Sequence, residues 1–396
     1  MKVLSAALVL VCGLFVWSIP DTSAQGVTTA SITGVVRDAQ GGVVPGATVV
    51  AVHVPSGTSY EGVSQGDGRF FIPGMRVGGP YKVTASLAGF TDESKDNIAL
   101  SLGVTQDVDF ALKVAAVAET VEVVGVADPV FSSQRTGAAT AISRDDLALL
   151  PTISGRINDL TRLTPQARGN SYAGQDDRQN NITVDGSYFN SAFGLGEGQP
   201  GGRTGVAPIS LESIEQVQVS VAPFDVRQGN FIGAAVNTVT RSGTNQLRAS
   251  VYTRYRNQDF VGTEAQGLTV NPGTFTFRNT GVNAGGPIIK NRLFVFGNYE
   301  NEKDQRPLHT FVANTGGQPV GGSVTRVLAS DLDALSAYLK QNFKYDTGPY
   351  QNIPAETPAK RYLLRTDYNL STNNKINFRY SQLDSSAAKN LSGSSS

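Results

Sequence analysis

Residues 119–245 decide the organisation of this chain, because the sequence changes character on either side of them. The stretch opens with ETVEVVG at residues 119–125, an acidic and β-branched run that follows an alanine-rich joint. It closes with GAAVNTVTRSGTN at residues 233–245, where an alternating segment runs into a glycine turn. After it, the sequence alternates in segments of about ten residues, which is the length and period of strands that cross a membrane as a barrel.

Short helices and strands are predicted inside this stretch. SRDD at residues 143–146 has the pattern of a capping box at a helix start, and Ser154 caps a second predicted helix. ITVDG at residues 182–186 predicts a strand that enters a turn. The alternation in residues 214–221 predicts another strand, with valines on one face and glutamine and serine on the other.

Four motifs follow one another here: LPTISGRINDLTRLTP (150–165), NNITVDGSYFN (180–190), ISLESIEQVQV (209–219) and VRQGNFIGAAVNTVTRSGTN (226–245). Their order resembles the plug domain of TonB-dependent outer-membrane transporters, and in particular the Oar-like group, which carries an extra N-terminal β-sandwich. One departure is that alanines stand at positions 234 and 235, where the family often has a second glycine. The resemblance implies a plug motif made of Asp185, Gly186, Gly229, Gly233, Asn237 and Gly243.

The same resemblance implies that residues 119–124 are the TonB box, which the energy-coupling protein TonB grips from the periplasm. The segment consists of Glu119, Thr120, Val121, Glu122, Val123 and Val124. An exposed extended segment binds by adding as a strand to a sheet edge, so that its backbone carries the affinity. The alternative is an ordinary edge strand of the sandwich or the plug.

Residues 1–24 are predicted to be a secretory signal peptide. Lys2 supplies the positive end, an apolar run spans residues 3–19, and small residues at 22–24 offer a cleavage site before Gln25. A transmembrane helix is the alternative, but the run is short and interrupted. The single cysteine, Cys12, lies inside this run, so the mature chain is expected to contain no thiol.

Residues 30–113 are predicted to form a separate β-sandwich. Short strands recur at regular spacing between turns such as residues 41–46 and 66–68, and Pro73-Gly74 is expected to be a further turn. The block resembles the carboxypeptidase-regulatory-like, transthyretin-like domain, a structural accessory. A carbohydrate- or peptide-binding role is the alternative.

Residues 246–396 are predicted to be the first strands of an outer-membrane barrel, with five recognisable strands. Gly285-Gly286-Pro287 is expected to begin a short turn, and residues 257–273 and 302–360 are expected to be extracellular connections. The alternation assigns Val251, Val295, Leu364 and Phe378 to the lipid face. It assigns Arg254, Arg365 and Arg379 to the lumen.

The composition disfavours several classes of function. Acidic and basic residues balance at 33 each, so neither a nucleic-acid partner nor a polybasic anchor is indicated. The two histidines, His53 and His309, fall in different predicted domains and lack a neighbouring nucleophile motif. We therefore expect no catalytic residue, no metal site and no cofactor.

The fold class expected from these patterns is mainly β: a signal peptide, a small β-sandwich, an α+β plug over residues 119–245, and barrel strands. The resemblance implies a transporter in the outer membrane of a bacterium with two membranes, with the N-terminal domain in the periplasm. Its expected partners are TonB with the inner-membrane energising complex, outer-membrane lipid and an extracellular ligand. The alternative is an Oar-like protein that acts in adhesion or protein export.

The chain is also expected to be the N-terminal part of a longer protein. Transporters of this type resemble one another in having about 22 strands, which alone require roughly 200–240 residues. Residues 246–396 offer five strands and end in the polar LSGSSS. Open strand edges cannot lie in lipid, because their backbone groups lack partners.

Overall fold

The computed structural model describes residues 27–115, 138–150, 159, 161, 163–190, 199–223, 228–262, 264–265, 268–269, 274–309, 311–321, 324–351, 353–372 and 374–388. The predicted signal peptide and the predicted TonB box lie outside these residues. Two compact units divide the chain. The first contains Met1–Gln199, Ile214–Arg241 and Ser371–Asn374, and the second contains Pro200–Ser213, Ser242–Leu370 and Lys375–Ser396.

The first unit begins with a β-sandwich of nine strands. They are β1 (Ala30–Asp38), β2 (Thr48–His53), β3 (Thr58–Val63), β4 (Arg69–Met75), β5 (Gly78–Ser86), β6 (Phe90–Thr91), β7 (Glu93–Leu100), β8 (Thr105–Asp107) and β9 (Phe110–Val114). One sheet has the order β4-β1-β9-β6, with β8 also paired to β1, and the other has the order β3-β2-β5-β7. Alternate residues of β1 are buried, as expected for a strand with one face in the core. Ile32, Phe70 and Tyr81 are fully buried in that core.

The sequence misplaced one turn of the sandwich and missed the two-residue strand β6 as well as two longer strands. Pro73-Gly74 was expected to turn the chain, but β4 continues through both residues to Met75. The register of β4 against β1 shifts at this point, and Gly74 has φ +68°. A bulge therefore absorbs the proline and the glycine inside the strand. The strands β3 and β7 were missed, because both are polar and lack an apolar alternation.

The second part of the first unit is a five-stranded sheet, called the plug sheet below. The strands in this part of the chain are β10 (Ala138–Ser143), β11 (Ala167–Arg168), β12 (Ser171–Tyr172), β13 (Asn181–Val184), β14 (Ser187–Tyr188), β15 (Ile214–Ala222) and β16 (Ala235–Thr240). The order of the plug sheet is β10-β15-β16-β13-β14, and β11 and β12 form a separate hairpin. β13 runs parallel to β16, whereas β15 is antiparallel to β16.

The predicted capping box lies at the start of a short helix, α1 (Arg144–Leu149). The backbone N–H of Asp146 donates to the Ser143 hydroxyl, and the Asp146 carboxylate accepts from the backbone N–H of Ser143. Two N-terminal donors are thereby satisfied, which is why the chain leaves β10 directly into the helix. The second predicted helix, capped by Ser154, falls mostly outside the described residues.

The second unit contains a sheet of five antiparallel strands in the order β17-β20-β21-β24-β25, called the strand wall below. The strands of this unit are β17 (Arg248–Asn257), β18 (Glu264–Ala265), β19 (Leu268–Thr269), β20 (Thr276–Ile289), β21 (Leu293–Pro307), β22 (Val312–Asn314), β23 (Val324–Leu328), β24 (Pro354–Asn369) and β25 (Lys375–Ser385). The mainly β fold class, with a sandwich, a plug and the first barrel strands, is confirmed.

The wall strands are longer than the sequence predicted. β20 continues through Gly285-Gly286-Pro287 to Ile289, so the expected turn is wrong. Glycine is needed inside this strand, because a Cβ at position 285 would lie 2.9 Å from the Phe296 ring. Pro287 is tolerated because the ladder bulges directly after it.

The connection expected over residues 302–360 is also shorter than predicted. β21 and β24 remain paired as far as Pro307 and Pro354. Apolar alternation stops before this point, so the sequence offered no pattern to extend. The connection contains a 15-residue helix, α2 (Ala329–Phe343), that the sequence analysis missed. Among the described residues, no helix has the length and apolar character to cross a membrane.

Candidate functional site

The predicted plug motif gathers around strands β13 and β16. Asp185 and Gly186 form the two-residue turn between β13 and β14, and both have positive φ, at 46° and 81°. Positive φ at both central residues is the type I′ geometry that Asp-Gly sequences favour. The turn directs the Asp185 carboxylate at β16, where it accepts from the Thr240 N–H at 2.9 Å and from the Thr240 hydroxyl at 2.6 Å.

Asn237 lies on β16 beside Thr183 of β13, whose hydroxyl donates to the Asn237 side-chain oxygen at 2.8 Å. Both side chains are buried, so this bond satisfies polar groups that water cannot reach. Side-chain hydrogen bonds therefore stabilise the parallel pairing of β13 with β16 both at the turn and within the strands.

Gly229 and Gly233 lie in the segment that precedes β16. The Gly229 carbonyl accepts from the Asn181 amide at 2.9 Å, and a Cβ at position 233 would overlap the Asn180 side-chain oxygen. That oxygen accepts from the backbone N–H of Ala234. The two asparagines position this segment, a role that the sequence analysis missed although NNITVDG contains both.

Gly243 belongs to the second unit, whereas the other motif residues belong to the first. A Cβ there would come within 2.5 Å of the Val295 carbonyl oxygen and 2.6 Å of the Gly286 carbonyl oxygen. Asn245 exchanges two hydrogen bonds with Asn291, at 2.7 and 2.8 Å. The segment after the plug is therefore fastened against β20 and β21 by close backbone approach and by an asparagine pair.

The three arginines predicted to face the lumen do not form one group. Arg254 pairs with Glu212, with 2.6 Å between guanidinium nitrogen and carboxylate oxygen. Arg365 pairs with Asp367 of its own strand at 2.9 Å and stands directly opposite Arg379 of β25. The register places Arg254 level with Ala359 of β24, six positions from Arg365, which is roughly 20 Å along a strand.

A buried charged cluster on the wall was missed by the sequence analysis. Arg361 of β24 donates to Glu300 Oε1 at 2.7 Å and to Glu302 Oε2 at 3.0 Å, both on β21. The side chains of all three residues are at most 3% exposed. Two glutamates at i and i+2 in a predicted membrane strand could have indicated the cluster. They share one face of the strand, and charged groups within a membrane protein are costly unless they are paired.

Hydroxyl groups complete the cluster. Ser210 and Tyr252 donate to Glu300 Oε2 at 2.7 and 2.6 Å. The Arg361 Nε–H donates to the Ala207 carbonyl oxygen at 2.7 Å. Residues 207–210 precede β15 in sequence, so the cluster fastens a segment of the predicted plug to the inner face of the wall. Tyr252 reaches across Gly281, where a Cβ would overlap its ring.

His53, in the sandwich, is a buried titratable group with polar neighbours. Its Nδ1 lies 2.7 Å from the Ser56 hydroxyl, which lies 2.8 Å from the Thr58 hydroxyl. Burial, and secondarily the charge of Arg76, lower the pKa of His53 to about 3. Ser56 is fully buried, so this pair offers no surface to a substrate. Within the described ranges, no group of three or more His, Cys, Asp or Glu is placed to hold a metal.

Two families match separate parts of this chain. Residues 31–113 match the carboxypeptidase regulatory-like domain, and residues 239–395 match an outer membrane beta barrel domain. The TonB-dependent transporter Oar of Myxococcus xanthus is 26% identical over 298 residues, which cover 70% of this chain. This chain spans 27% of the length of that relative.

Two solved structures are similar to this chain at low identity. The siderophore receptor PirA of Acinetobacter baumannii is 18% identical with a TM-score of 0.42, covering 64% of this chain and 32% of its own. The outer membrane transporter YddB of Escherichia coli is 13% identical with a TM-score of 0.44, covering 63% of this chain and 33% of its own.

Proposed function

We propose that this chain, which belongs to the family of TonB-dependent outer-membrane transporters, takes up an extracellular ligand through a plugged β-barrel energised from the inner membrane. The protein acts by moving a plug, without covalent chemistry. Residues 119–245 are the proposed TonB box and plug, residues 246–396 belong to the barrel, and the sandwich at 30–113 lies in the periplasm.

The single observation that carries this proposal is the polarity of the strand wall. Its outward face exposes apolar and aromatic side chains, among them Val251, Leu364 and Phe378. Its inward face buries Glu300, Glu302 and Arg361 together with Phe294 and Phe296. A sheet in water covers its exposed face with polar residues, whereas a barrel strand in a membrane places apolar residues toward lipid and its charged residues toward the lumen.

The buried cluster supports a plugged lumen. A charged inner face is stable beside lipid only if its groups are paired or covered by protein. Segment 207–210 contacts this pair, because Ser210 donates to Glu300 and the Ala207 carbonyl accepts from Arg361. Arg254 and Glu212 make a further contact of the same kind.

TonB is the proposed partner, and residues 119–124 are its proposed contact. A Val121→Pro substitution removes one backbone donor and fixes φ, so it should prevent this segment from adding as a strand. Cysteines placed one at a time at positions 119–124 should form disulfides with a cysteine-bearing TonB in cells, and Val121→Pro should abolish them. Ala127→Pro, outside the segment, is the matched control and should leave them intact.

Cross-links that persist in Val121→Pro would reject residues 119–124 as the TonB contact. Cells that carry the full-length protein should also accumulate its ligand only while the proton-motive force is present. The adhesion alternative would be favoured by two results together: no ligand accumulates inside the cell while the proton-motive force is present, and ligand stays bound at the surface after the force is collapsed.

A further inference from the structure

The backbone of Leu102 joins the sandwich to the plug sheet. The Leu102 N–H donates to Gln216 Oε1 at 2.8 Å, and the Leu102 carbonyl accepts from Gln218 Nε2 at 2.7 Å. Leu102 lies in the turn between β7 and β8 of the sandwich, and both glutamines lie on β15. Two side chains at i and i+2 therefore occupy the positions that a neighbouring strand would take.

The fit between turn and strand is close. Gly103 has φ +69°, and a Cβ there would lie 2.9 Å from the Gln218 amide, so glycine lets β15 approach. The turn is held on its other side, because the Gly103 N–H donates to the Thr29 carbonyl. Leu102 is fully buried, and both glutamines are nearly so.

Apolar packing reinforces the contact. Val239 of β16 belongs to the same buried cluster as Leu102 and the other core residues of the sandwich. β16 is the neighbour of β15 in the plug sheet. β15 thus bonds to the sandwich backbone through its glutamine side chains, and β16 contributes Val239 to the sandwich core.

We infer that the sandwich is a clamp on the plug sheet, in which Gln216 and Gln218 hold Leu102 and thereby keep β15 and β16 in their resting arrangement. Separation would break both hydrogen bonds and expose the apolar surface of Leu102 and Val239 to water, a cost that opposes rearrangement. The strands can rearrange only after the clamp opens. Its consequence for transport rests on the proposed function, because the force on the plug comes from TonB.

The clamp is tested by hydrogen–deuterium exchange on the full-length protein in detergent or nanodiscs. The double variant Gln216→Leu, Gln218→Leu keeps side chains of similar size and removes both hydrogen bonds. We expect amides in residues 101–104 and in β15 and β16 to exchange about tenfold faster. Gln65→Leu, an exposed position in the sandwich, is the matched control and should change neither segment.

A second variant approaches the contact from the sandwich side. Gly103→Val pushes the turn away from Gln218 without altering the plug sheet, and it should accelerate exchange in β15 and β16 by a similar factor. Unchanged exchange in β15 and β16 for both variants would overturn the clamp. Acceleration confined to residues 101–104 would overturn it as well, because the sandwich would then move without the plug sheet.

The exchange measurement tests the clamp and the TonB cross-link tests the coupling segment, so each proposal can be rejected without the other. Faster exchange in β15 and β16 without any cross-link at residues 119–124 would keep the clamp and reject the proposed coupling. Normal cross-linking with unchanged exchange would keep the coupling and reject the clamp.

Discussion

The sandwich and the strand wall are both β structures, yet they differ in the residues that they expose and in the charged groups that they bury. In the sandwich, Ile32, Phe70 and Tyr81 are at most 1% exposed. In the wall, Val251 is 79% exposed and Phe378 is 59% exposed, whereas Glu300 is 2% exposed. Both regions follow the two-residue period of a strand, so the period alone does not distinguish them.

The comparison shows that alternation of apolar and polar residues along a strand does not determine which face of the strand is buried. In water, the hydrophobic effect turns apolar side chains inward. Beside lipid, that driving force is absent on the outer face, and backbone and polar groups must be satisfied inside. The wall exposes apolar side chains on one face, and on the other it buries an ion-pair cluster on the same strands as Phe294 and Phe296.

The largest expected effect comes from removing the cation of the buried cluster. Arg361→Leu leaves Glu300 and Glu302 buried without a positive partner, and breaking such a pair costs about 3–5 kcal/mol. The folded fraction of the full-length protein, measured by heat-modifiable gel mobility and urea titration, should fall sharply. Arg306→Leu is the matched control: its side chain is 58% exposed, and the change should cost about 0–1 kcal/mol. Equal losses in the two variants would contradict a cluster that stabilises the wall.

The second prediction compares a valine-to-lysine substitution in the strand wall with the same substitution in the sandwich. Val251→Lys places a charge on the proposed lipid face and should cost about 2–4 kcal/mol near the midplane. Val54→Lys, at a sandwich position that is 56% exposed, should change the free energy of unfolding by about 0.5 kcal/mol or less. Urea titration of the full-length protein in bilayers measures both. A harmless lysine at position 251 would mean that this face of the wall lies in water.

The smallest expected effect concerns pH and the sandwich. His53 has a pKa of about 3 when folded, against 6.5 when unfolded, so only the unfolded chain takes up a proton between these values. Stability therefore falls as pH drops below 6.5, by about 2 kcal/mol between pH 7 and pH 5. Hydrogen exchange of amides in β2 and β5 should accelerate accordingly. His53→Asn should remove most of this pH dependence; an unchanged slope in that variant would assign it to other groups.

The sequence predicted the five wall strands and the alternation along each of them. This succeeded because the wall strands carry apolar residues at alternate positions over part of their length, as Val251 and Phe378 illustrate. The capping box at Ser143 and the Asp185-Gly186 turn were recognisable for a similar reason. Each is a local device whose residues lie within a few positions of one another.

The strand ends and the charged partners were not predictable in the same way. Gly285 lies inside β20 and not in a turn, because the Phe296 ring of the neighbouring strand occupies the space that a side chain at position 285 would take. The pairing of Arg361 with Glu300 depends on the register of β24 against β21, which the sequence does not state. The roles proposed for residues 119–124 and for the lumen arginines stay predictions.

The sequence by itself determined the β class, the order of sandwich, plug and barrel strands, and the local turns and caps. These follow from the period of side chains along a strand and from the conformational preferences of single residues. Tertiary structure alone decided which polar groups meet: Leu102 and Gln216 are 114 residues apart, and Glu300 and Arg361 are 61 apart. A polar face such as that of β15 is compatible with water or with a buried partner, because a hydrogen bond satisfies the group in either place. Only packing excludes the water and leaves Leu102 as the partner.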